Sequence, residues 1–583
     1  MSQENQKDME QYFFRASAAD FKKIPGSPIA YSASAAILSL FGHGSLKEHV
    51  DTRLGMATAD NGRFLRLWFE VDQKKAEHNS ESRLMAKASG KKWFPYQKGG
   101  DYRKWFGNID YYVNWEGDGA EIQDFKDPKT GKIRSHNYNL DFIFCKGVTW
   151  NALTSGKTSA RVSFNSLFDN AGSSLFVREG VSEESVMGLM NSNIMLNIFP
   201  LISPTLNYQP GDISKLPAFF PAELQRHLGD VVSQLIFYSR SDWDTYETSW
   251  DFTNLPLLAP DHHRPILSAS YQELRTHWSE MTQEVQRLEE ENNRIFIDAY
   301  GLEDELTPEV PLKEVTLTCN PHYRYGGVKT AAELEVQLQS DTMAEFLSYA
   351  VGCMFGRYSL DKPGLVLANQ GDTLAEYLRQ IPEPRFMPDE DNVIPLLDGE
   401  WFADDVTERF RTFLRLTFGD EYYEENLAFI EASLGKDVRK YFIKDFYTDH
   451  VKRYKKRPIY WLFTSPKGTF SALIYLHRYR PDTISVVLQY LRDFRKKLAA
   501  RLDYLQQVGI SASASQGEKT RALKEIETLK KQLLELDDYE RDTLYPLATE
   551  QLPLDLDDGV KVNYLQLGSA LKKIVGLDAK GED

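Results

Sequence analysis

Apolar residues at helical spacing run through the C-terminal part of the chain and leave few alternatives for its fold. Between Leu274 and Ile295 the side chains of one seam recur at alternating steps of four and three residues, as in a long helix with a coiled-coil-like face. Nearer the C-terminus, two leucine-rich rows flank a Ser-Ala-Ser-Ala-Ser segment at 511–515. These rows predict an antiparallel helical hairpin near 484–540, a form typical of spacers and docking arms.

The region from 91 to about 180 has a different pattern. Short runs rich in β-branched and aromatic residues alternate with Gly, Asn and Asp, which predicts strands at 111–115, 142–145 and 173–177. Ser182 then supplies the start of a helix. We therefore expect a mixed α/β fold, in which an α+β domain is followed by a mostly α-helical domain that contains the long hairpin.

One segment of this region, Gly90 to Phe106, combines cations with aromatic rings. The stretch from Lys87 to Gly107 contains six basic residues and one acidic residue, Asp101, which gives a local charge of +5. Such a segment binds nucleic acid when its cations meet phosphates and its rings meet bases or sugars. The alternative is a twisted hairpin whose rings fill a core and whose lysines are only solvated. Residue chemistry alone leaves both interpretations open.

The charge of the whole chain limits how it can meet nucleic acid. There are 69 Lys and Arg residues against 85 Asp and Glu residues, so the net charge is −16. This charge argues against a diffuse coating of nucleic acid, so we expect any contact to come from a focused patch.

The cysteines and the apolar runs bear on the compartment. Three cysteines without paired spacing exclude a disulfide framework and suit a reducing cytosol. The first 30 residues lack an apolar signal core, and no run of about 18 apolar residues occurs. We expect a cytoplasmic protein with no export signal and no membrane span.

Two motifs of catalytic appearance are rejected. Gly156-Lys157-Thr158 looks like the end of a phosphate-binding loop, but Asn151 stands where that loop needs a glycine. The run 320–323 is close to the Asn-Pro-Pro-Tyr of amino-methyltransferases, which holds a flipped base. Here His322 replaces the second proline and no methyl-donor loop precedes it, so a turn is expected.

A second basic cluster lies at 452–457, directly before Tyr460 and Trp461. Its cations either contact phosphates or form the solvated end of a helix.

Several longer runs are similar to one known family. They are residues 24–31 (IPGSPIAY), 93–100 (WFPYQKGG), 114–119 (NWEGDG), 242–252 (DWDTYETSWDF), 453–461 (RYKKRPIYW) and 557–563 (DDGVKVN). In these runs, which follow one another along nearly the whole chain, the sequence resembles the C-terminal, target-recognition half of the adenine-specific DNA methyltransferases of BREX phage-exclusion systems, the PglX family.

The resemblance implies a domain organisation and a division of labour. It assigns 1–75 to a connector from the methyltransferase half, 76–265 to a DNA target-recognition domain and 266–583 to a helical C-terminal spacer domain. The donor-binding loop and the Asn-Pro-Pro-Tyr element do not occur in this sequence. We therefore expect S-adenosylmethionine and the catalytic residues in a separate catalytic half, and no catalytic residue, cofactor or metal here. An expressed fragment and a split-gene product both fit this pattern.

The expected partners are double-stranded DNA, the catalytic half and other phage-defence subunits, without a membrane. The alternative is a protein-docking scaffold of the defence complex that makes no DNA contact in this half. The candidate DNA-binding residues are Lys91, Lys92, Tyr96, Lys98, Arg103, Lys104 and Trp105 in the basic aromatic segment, Arg134, Lys157, Arg161, Ser173 and Ser174 in the same expected domain, and Lys452, Arg453, Lys455 and Lys456 in the second cluster.

Overall fold

Within the described part of the chain, helices and three small sheets build the fold, which confirms the mixed α/β class. The computed structural model describes residues 17–28, 33–153, 156–203 and 207–578. The chain divides into two compact units. Unit 1 holds the described residues within 1–65, 76–244 and 276–334, and unit 2 those within 66–75, 245–275 and 335–583. Each unit is therefore built from segments distant in sequence, whereas the sequence predicts consecutive domains divided near 75 and 265.

The strands are short. In the described part of the chain they are β1 (Val50–Arg53), β2 (Leu65–Leu67), β3 (Trp93–Gln97), β4 (Tyr111–Asn114), β5 (Gly147–Trp150), β6 (Ala160–Ser163), β7 (Leu167–Phe168), β8 (Ser174–Val177), β9 (Ile394–Pro395), β10 (Tyr460–Thr464) and β11 (Ser471–Tyr475).

The helices account for more of the described chain than the strands. Those of six residues or more are α1 (Ala35–Leu40), α2 (Arg83–Ser89), α3 (Glu116–Gln123), α4 (Glu183–Met190), α5 (Asn193–Ile202), α6 (Ala222–Asp244), α7 (Leu267–Tyr300), α8 (Ala331–Met354), α9 (Leu374–Gln380), α10 (Val406–Phe418), α11 (Tyr423–Leu434), α12 (Tyr447–Arg453), α13 (Thr483–Ile510), α14 (Gln516–Tyr539), α15 (Tyr545–Glu550) and α16 (Gly559–Gln566).

Unit 1 contains strands of two sheets. One sheet has the antiparallel order β1-β8-β5-β6. In the other, β3 pairs antiparallel with β4 and parallel with β7. Every residue of β3 is buried, and the core around it includes Phe94, Val113 and Leu167. A strand buried on both faces has an almost continuous apolar run instead of alternation, as the β3 sequence does.

Two details of unit 1 test the sequence patterns. Ser182 caps α4 by accepting a hydrogen bond from the Ser185 backbone N–H at 3.2 Å, as the sequence predicts. The predicted strand at 142–145 is wrong. A 3-10 turn covers Leu140–Phe142, and Phe144 has a φ of 67°, which an extended strand does not allow.

Unit 2 joins the sheet β10-β11-β9 to the long helices α13 and α14. Two ion pairs connect the two helices, Arg495 with Asp537 and Arg501 with Glu525, and Arg492 pairs with Glu540, the residue that directly follows α14. Across this series of ion pairs, the residue number of the α13 partner rises while that of its partner falls. The two helices are therefore antiparallel, and 511–515 is the turn between them. A capping box of Ser515 and Glu518 starts α14.

No single helix in the described ranges is long and apolar enough to cross a membrane. One bent pair, α4 with α5, meets the length and composition of a membrane span when the two helices are taken together.

Candidate nucleic-acid interface

The aromatic half of the segment 90–106 belongs to the core of unit 1. Trp93, Phe94 and Tyr96 lie on β3 and are at most 1% exposed. The Tyr96 hydroxyl donates to Oδ2 of Asp169 at 2.7 Å, and burial beside that carboxylate raises the pKa of Tyr96 well above its usual value. These rings fill a core, as in the alternative interpretation of this segment.

Arg103 also points inward. Its Nη2 lies 2.7 Å from Oδ2 of Asp242, and the two side chains are 4% and 0% exposed. Arg103 further donates to the Phe106 carbonyl at 2.9 Å and to the Thr318 hydroxyl at 2.8 Å. The same Asp242 carboxylate accepts the backbone N–H groups of Thr318 and Cys319 at 2.7 and 2.9 Å. The pair is thus fully hydrogen-bonded within unit 1, which a buried charge requires.

Lys104 and Trp105 share a second buried carboxylate. The Lys104 ammonium forms an ion pair with Glu289, and the Trp105 indole N–H donates to Oε1 of Glu289 at 2.7 Å. Burial raises the pKa of Glu289, against the opposing effect of the Lys104 charge.

Three further candidates are interior residues of unit 1. Arg161 on β6 is 1% exposed and donates from Nη2 to Oδ1 of Asn151 at 2.7 Å. Burial lowers the pKa of Arg161 to about 10. Ser173 and Ser174 are also at most 1% exposed, and the Ser173 hydroxyl donates to the Asn170 carbonyl at 3.1 Å.

The structure thus places seven of the candidate DNA-binding positions in the interior. A side chain that contacts a phosphate or a base must reach the surface, and in this conformation seven candidates do not. They are Tyr96, Arg103, Lys104, Trp105, Arg161, Ser173 and Ser174.

The remaining cations of the segment are partly exposed. Lys91 and Lys92 precede β3, and the Lys92 ammonium lies 5.4 Å from the centre of the Trp93 ring. Lys98 follows β3, with its ammonium 4.8 Å from the centre of the Tyr111 ring. Stacking on a ring leaves the Lys92 and Lys98 ammonium groups accessible from the other side. These two lysines and the partly exposed Lys91 stay candidates for phosphate contact.

Arg134 and Lys157 are exposed on unit 1. The Arg134 guanidinium lies 5.3 Å from the centre of the Phe125 ring. Both residues belong to a two-stranded hairpin that the sequence patterns did not predict. Lys157 forms an ion pair of 2.6 Å with Glu314. The signal for the hairpin is present in the sequence as Asp-Pro-Lys-Thr-Gly at 127–131, a turn composition between basic residues.

The second cluster closes a helix of unit 2. The backbone N–H groups of Lys455 and Lys456 donate to the carbonyls of Lys452 and Val451, with φ angles of 49° and 61° at the two donors. This left-handed ending satisfies carbonyls at the end of α12, and the positive charge there complements the helix dipole. Lys452, Lys455 and Lys456 are exposed, so their phosphate contact stays a prediction.

Arg453 differs from the rest of the cluster. It is only 18% exposed, and its Nη1 lies 3.2 Å from Oε1 of Glu247 in the same unit. It has a structural partner and is a weaker candidate than its three neighbours.

The methyltransferase-like run at 320–323 does not fit a methyl-transfer site. Asn320 is 1% exposed, and its amide nitrogen donates to the carbonyls of Leu312 and Val315 at 2.7 and 2.8 Å. Its side-chain oxygen accepts from the His322 backbone N–H at 3.1 Å. The side chain that would hold a base is thus used as a helix cap. Among the described residues, no group of three or more His, Cys, Asp or Glu is arranged to hold a metal ion.

Comparison with known proteins finds two similar methyltransferases. The chain is 38% identical over 584 aligned positions to the adenine-specific methyltransferase PglX of Lacticaseibacillus casei (strain Zhang), an alignment that covers 97% of this chain and 46% of that protein. It is 37% identical over 578 positions to the adenine-specific methyltransferase BrxX of Escherichia coli O9:H4 (strain HS), covering 95% of this chain and 45% of the relative. The chain spans about half the length of the curated relatives it matches. No family model matches it.

Proposed function

Because this similarity supports the PglX family of adenine-specific methyltransferases, we propose that the chain recognises duplex DNA on behalf of such an enzyme in a BREX phage-exclusion system. The observation that carries the proposal is the identity of 38% along 97% of the chain to a protein of that activity. An adenine methyltransferase must select its site on DNA before it transfers a methyl group.

The proposal divides the work between two parts of the whole protein. S-adenosylmethionine binding and adenine-N6 methylation belong to a catalytic part outside these 583 residues. The engagement of the Asn320 amide by two backbone carbonyls is consistent with this division, because that amide is not available to a base. The chain then contributes the orientation of the enzyme on its target.

The charge distribution supports a local mode of binding. The chain as a whole carries −16 and is repelled by a polyanion. Unit 1 nevertheless presents Lys91, Lys92, Lys98 and Arg134 on its surface, and unit 2 presents the exposed lysines of 452–456. Cations at such places neutralise phosphates and set the register of a protein on DNA, and groove contacts then provide the sequence specificity.

Selection from random duplexes tests the proposal. The purified chain is incubated with a pool of duplexes that share constant ends around a random centre, and the bound fraction is sequenced over several rounds. We expect enrichment of one adenine-containing sequence. Lack of binding, or a bound pool indistinguishable from the input, would contradict the assignment.

One observation favours a second candidate, a docking scaffold. On α13 and α14, Tyr504, Leu523 and Leu534 are 58%, 59% and 65% exposed. Apolar side chains left at the surface of a long hairpin are typical of protein contacts. A chain that binds another defence subunit through this hairpin and binds no duplex at low salt would favour the scaffold over DNA recognition.

A further inference from the structure

The exposed hairpin of unit 1 is formed by residues 125–134. Lys126 pairs with Ile133 across the two strands. The Arg134 backbone N–H donates to the Phe125 carbonyl at 2.8 Å, and the Asp127 N–H donates to the Lys132 carbonyl at 2.8 Å. The segment is therefore a two-stranded ribbon, although it is too short to count among the named strands.

The tip of the hairpin is held by its own turn. Oδ1 of Asp127 accepts from the backbone N–H groups of Lys129 and Thr130 at 3.0 and 2.8 Å and from the Thr130 hydroxyl at 3.1 Å. The Gly131 N–H donates to the Asp127 carbonyl at 2.9 Å, and Gly131 has a φ of 68°. The only carboxylate of the ribbon is thus occupied by the turn, and the tip has a defined shape.

The base of the hairpin is anchored in unit 1. The Ser135 hydroxyl donates to the Ile122 carbonyl, and Ser135 is 3% exposed. His136 and Ala57 exchange two backbone hydrogen bonds of 2.8 and 2.9 Å. A ribbon fixed at its base and ordered at its tip loses little conformational freedom when it binds.

The charges of the ribbon lie on both of its faces. Residues 125–134 carry four cations and one carboxylate. Successive side chains of a strand point to opposite faces, so Lys126 shares a face with Ile133, while Lys132 and Arg134 lie on the other face and Lys129 lies at the tip. All four cations are exposed.

The cations of the ribbon have few acidic neighbours. Lys126 forms an ion pair of 2.5 Å with Asp124, but Lys129, Lys132 and Arg134 form no ion pair with any carboxylate among the residues described. By contrast, the exposed Arg287 on α7 is paired with two glutamates.

From this arrangement we propose that the hairpin 125–134 inserts into the major groove of duplex DNA, with Lys129, Lys132 and Arg134 on phosphates. The major groove is about 12 Å wide and accepts a two-stranded ribbon. Phosphate backbones border the groove, where they would meet the exposed Lys129 at the tip and Lys132 and Arg134 on one face of the ribbon. Ile133, 53% exposed, is placed to meet base edges. This inference rests on the proposed function and identifies its contact element.

The test compares two variants of equal charge change. Lys129→Gln/Lys132→Gln/Arg134→Gln removes the ribbon cations. Lys519→Gln/Lys524→Gln/Lys531→Gln removes three cations from α14 in unit 2 and serves as the control. Binding of the selected duplex is measured by fluorescence anisotropy at several salt concentrations, after circular dichroism has shown that both variants are folded.

We expect the ribbon variant to bind at least about tenfold more weakly near 100 mM salt, and its salt slope to be shallower by about one for each phosphate that it no longer neutralises. The control variant should stay within about twofold of wild type with the same slope. Equal affinities and slopes for the two variants would overturn the inference while leaving the proposed function intact, whereas failure of wild type to bind would overturn the proposed function itself.

Two further measurements separate a ribbon in a groove from other anionic interactions. Gly131→Pro changes no charge but imposes a φ near −65° and removes the turn N–H, so we expect it to weaken binding as well. An unchanged affinity of the Gly131→Pro variant would overturn insertion of the ribbon. An affinity of the wild-type chain for single-stranded RNA equal to that for the duplex would overturn the assignment to the duplex groove.

Discussion

At the scale of single residues, the buried ion pair of Arg103 with Asp242 makes a strong prediction for stability. Removing one partner of a buried pair leaves an uncompensated charge and costs about 3–5 kcal/mol. We expect Asp242→Ala to lower the free energy of unfolding by this amount, because Arg103 and the N–H groups of Thr318 and Cys319 are all left without their acceptor. Urea unfolding followed by tryptophan fluorescence measures the loss.

The control for that prediction is an exposed ion pair of unit 1. Arg287 lies between Glu284 and Glu291 on α7, and its side chain is 55% exposed. Exposed pairs contribute about 0–1 kcal/mol, so Arg287→Ala should change the free energy of unfolding by no more than that. A similar cost for Asp242→Ala would show that the Arg103 pair is not buried in solution.

His477 predicts a dependence of stability on pH. Burial, with Arg357 nearby, lowers the pKa of His477 to about 3, while the unfolded chain has a histidine pKa near 6.5. The folded state therefore binds this proton less readily than the unfolded state. The resulting stability is fully present above pH 6.5 and is lost as the pH falls from 6.5 towards 3.

Unfolding in urea at pH 7 and pH 5 checks this contribution. Wild type should lose about 2 kcal/mol more than His477→Gln between the two pH values, because each pH unit corresponds to about 1.36 kcal/mol. His136→Gln alters an exposed ring and should lose as much as wild type. An equal loss for all three proteins would contradict the buried neutral state of His477.

The residue scale also explains why the sequence selects seven candidate positions whose side chains are buried. A cation in a basic aromatic segment has the same sequence signature whether it meets a phosphate or a carboxylate. The carboxylate that pairs with Arg103 lies 139 residues away, and the one that pairs with Lys104 lies 185 residues away. Only the fold brings them together, so sequence separation hides the pairing.

At the scale of elements, one crowded glycine and one glycine in open space predict opposite effects of an alanine substitution on stability. A Cβ on Gly55 would lie 2.2 Å from the Phe168 carbonyl oxygen and 2.5 Å from that of Asp169. A Cβ on Gly229, within α6, would have no atom within 4 Å. We expect Gly55→Ala to cost about 1–3 kcal/mol and Gly229→Ala to stabilise by about 0.5–1 kcal/mol.

Thermal unfolding by calorimetry distinguishes the two glycine variants by the sign of the change in Tm. If both variants shifted Tm in the same direction, the close approach of Gly55 to the 168–169 backbone would be refuted.

The sequence predicts well those elements whose formation depends on residues close together in the chain. The spacing from Leu274 to Ile295 lies within α7, and the Ser182 cap starts α4 where the sequence places it. The failure at 142–145 has a local cause as well. An apolar run has the same composition in a strand and in a turn, and the left-handed φ of Phe144 is not encoded in residue type.

At the scale of the whole molecule, the two units do not follow the order of the sequence. Residues 66–75 belong to unit 2 although the segments on either side of them belong to unit 1, and 276–334 belong to unit 1 although the chain has already entered unit 2. Such an arrangement depends on contacts between distant segments, which a single sequence does not reveal. The domain boundaries at 75 and 265 therefore stay predictions of the sequence alone.

The salt dependence of duplex binding by the unmodified chain tests DNA recognition most directly. A protein of charge −16 binds a polyanion only through focused cations, and each neutralised phosphate contributes about −0.9 to the slope of log affinity against log salt. With the three ribbon cations on phosphates, we predict measurable affinity at 50 mM salt and a fall of about 40-fold or more at 200 mM. Absence of binding at 50 mM, or an affinity that changes by less than about twofold over this range, would contradict DNA recognition by this chain.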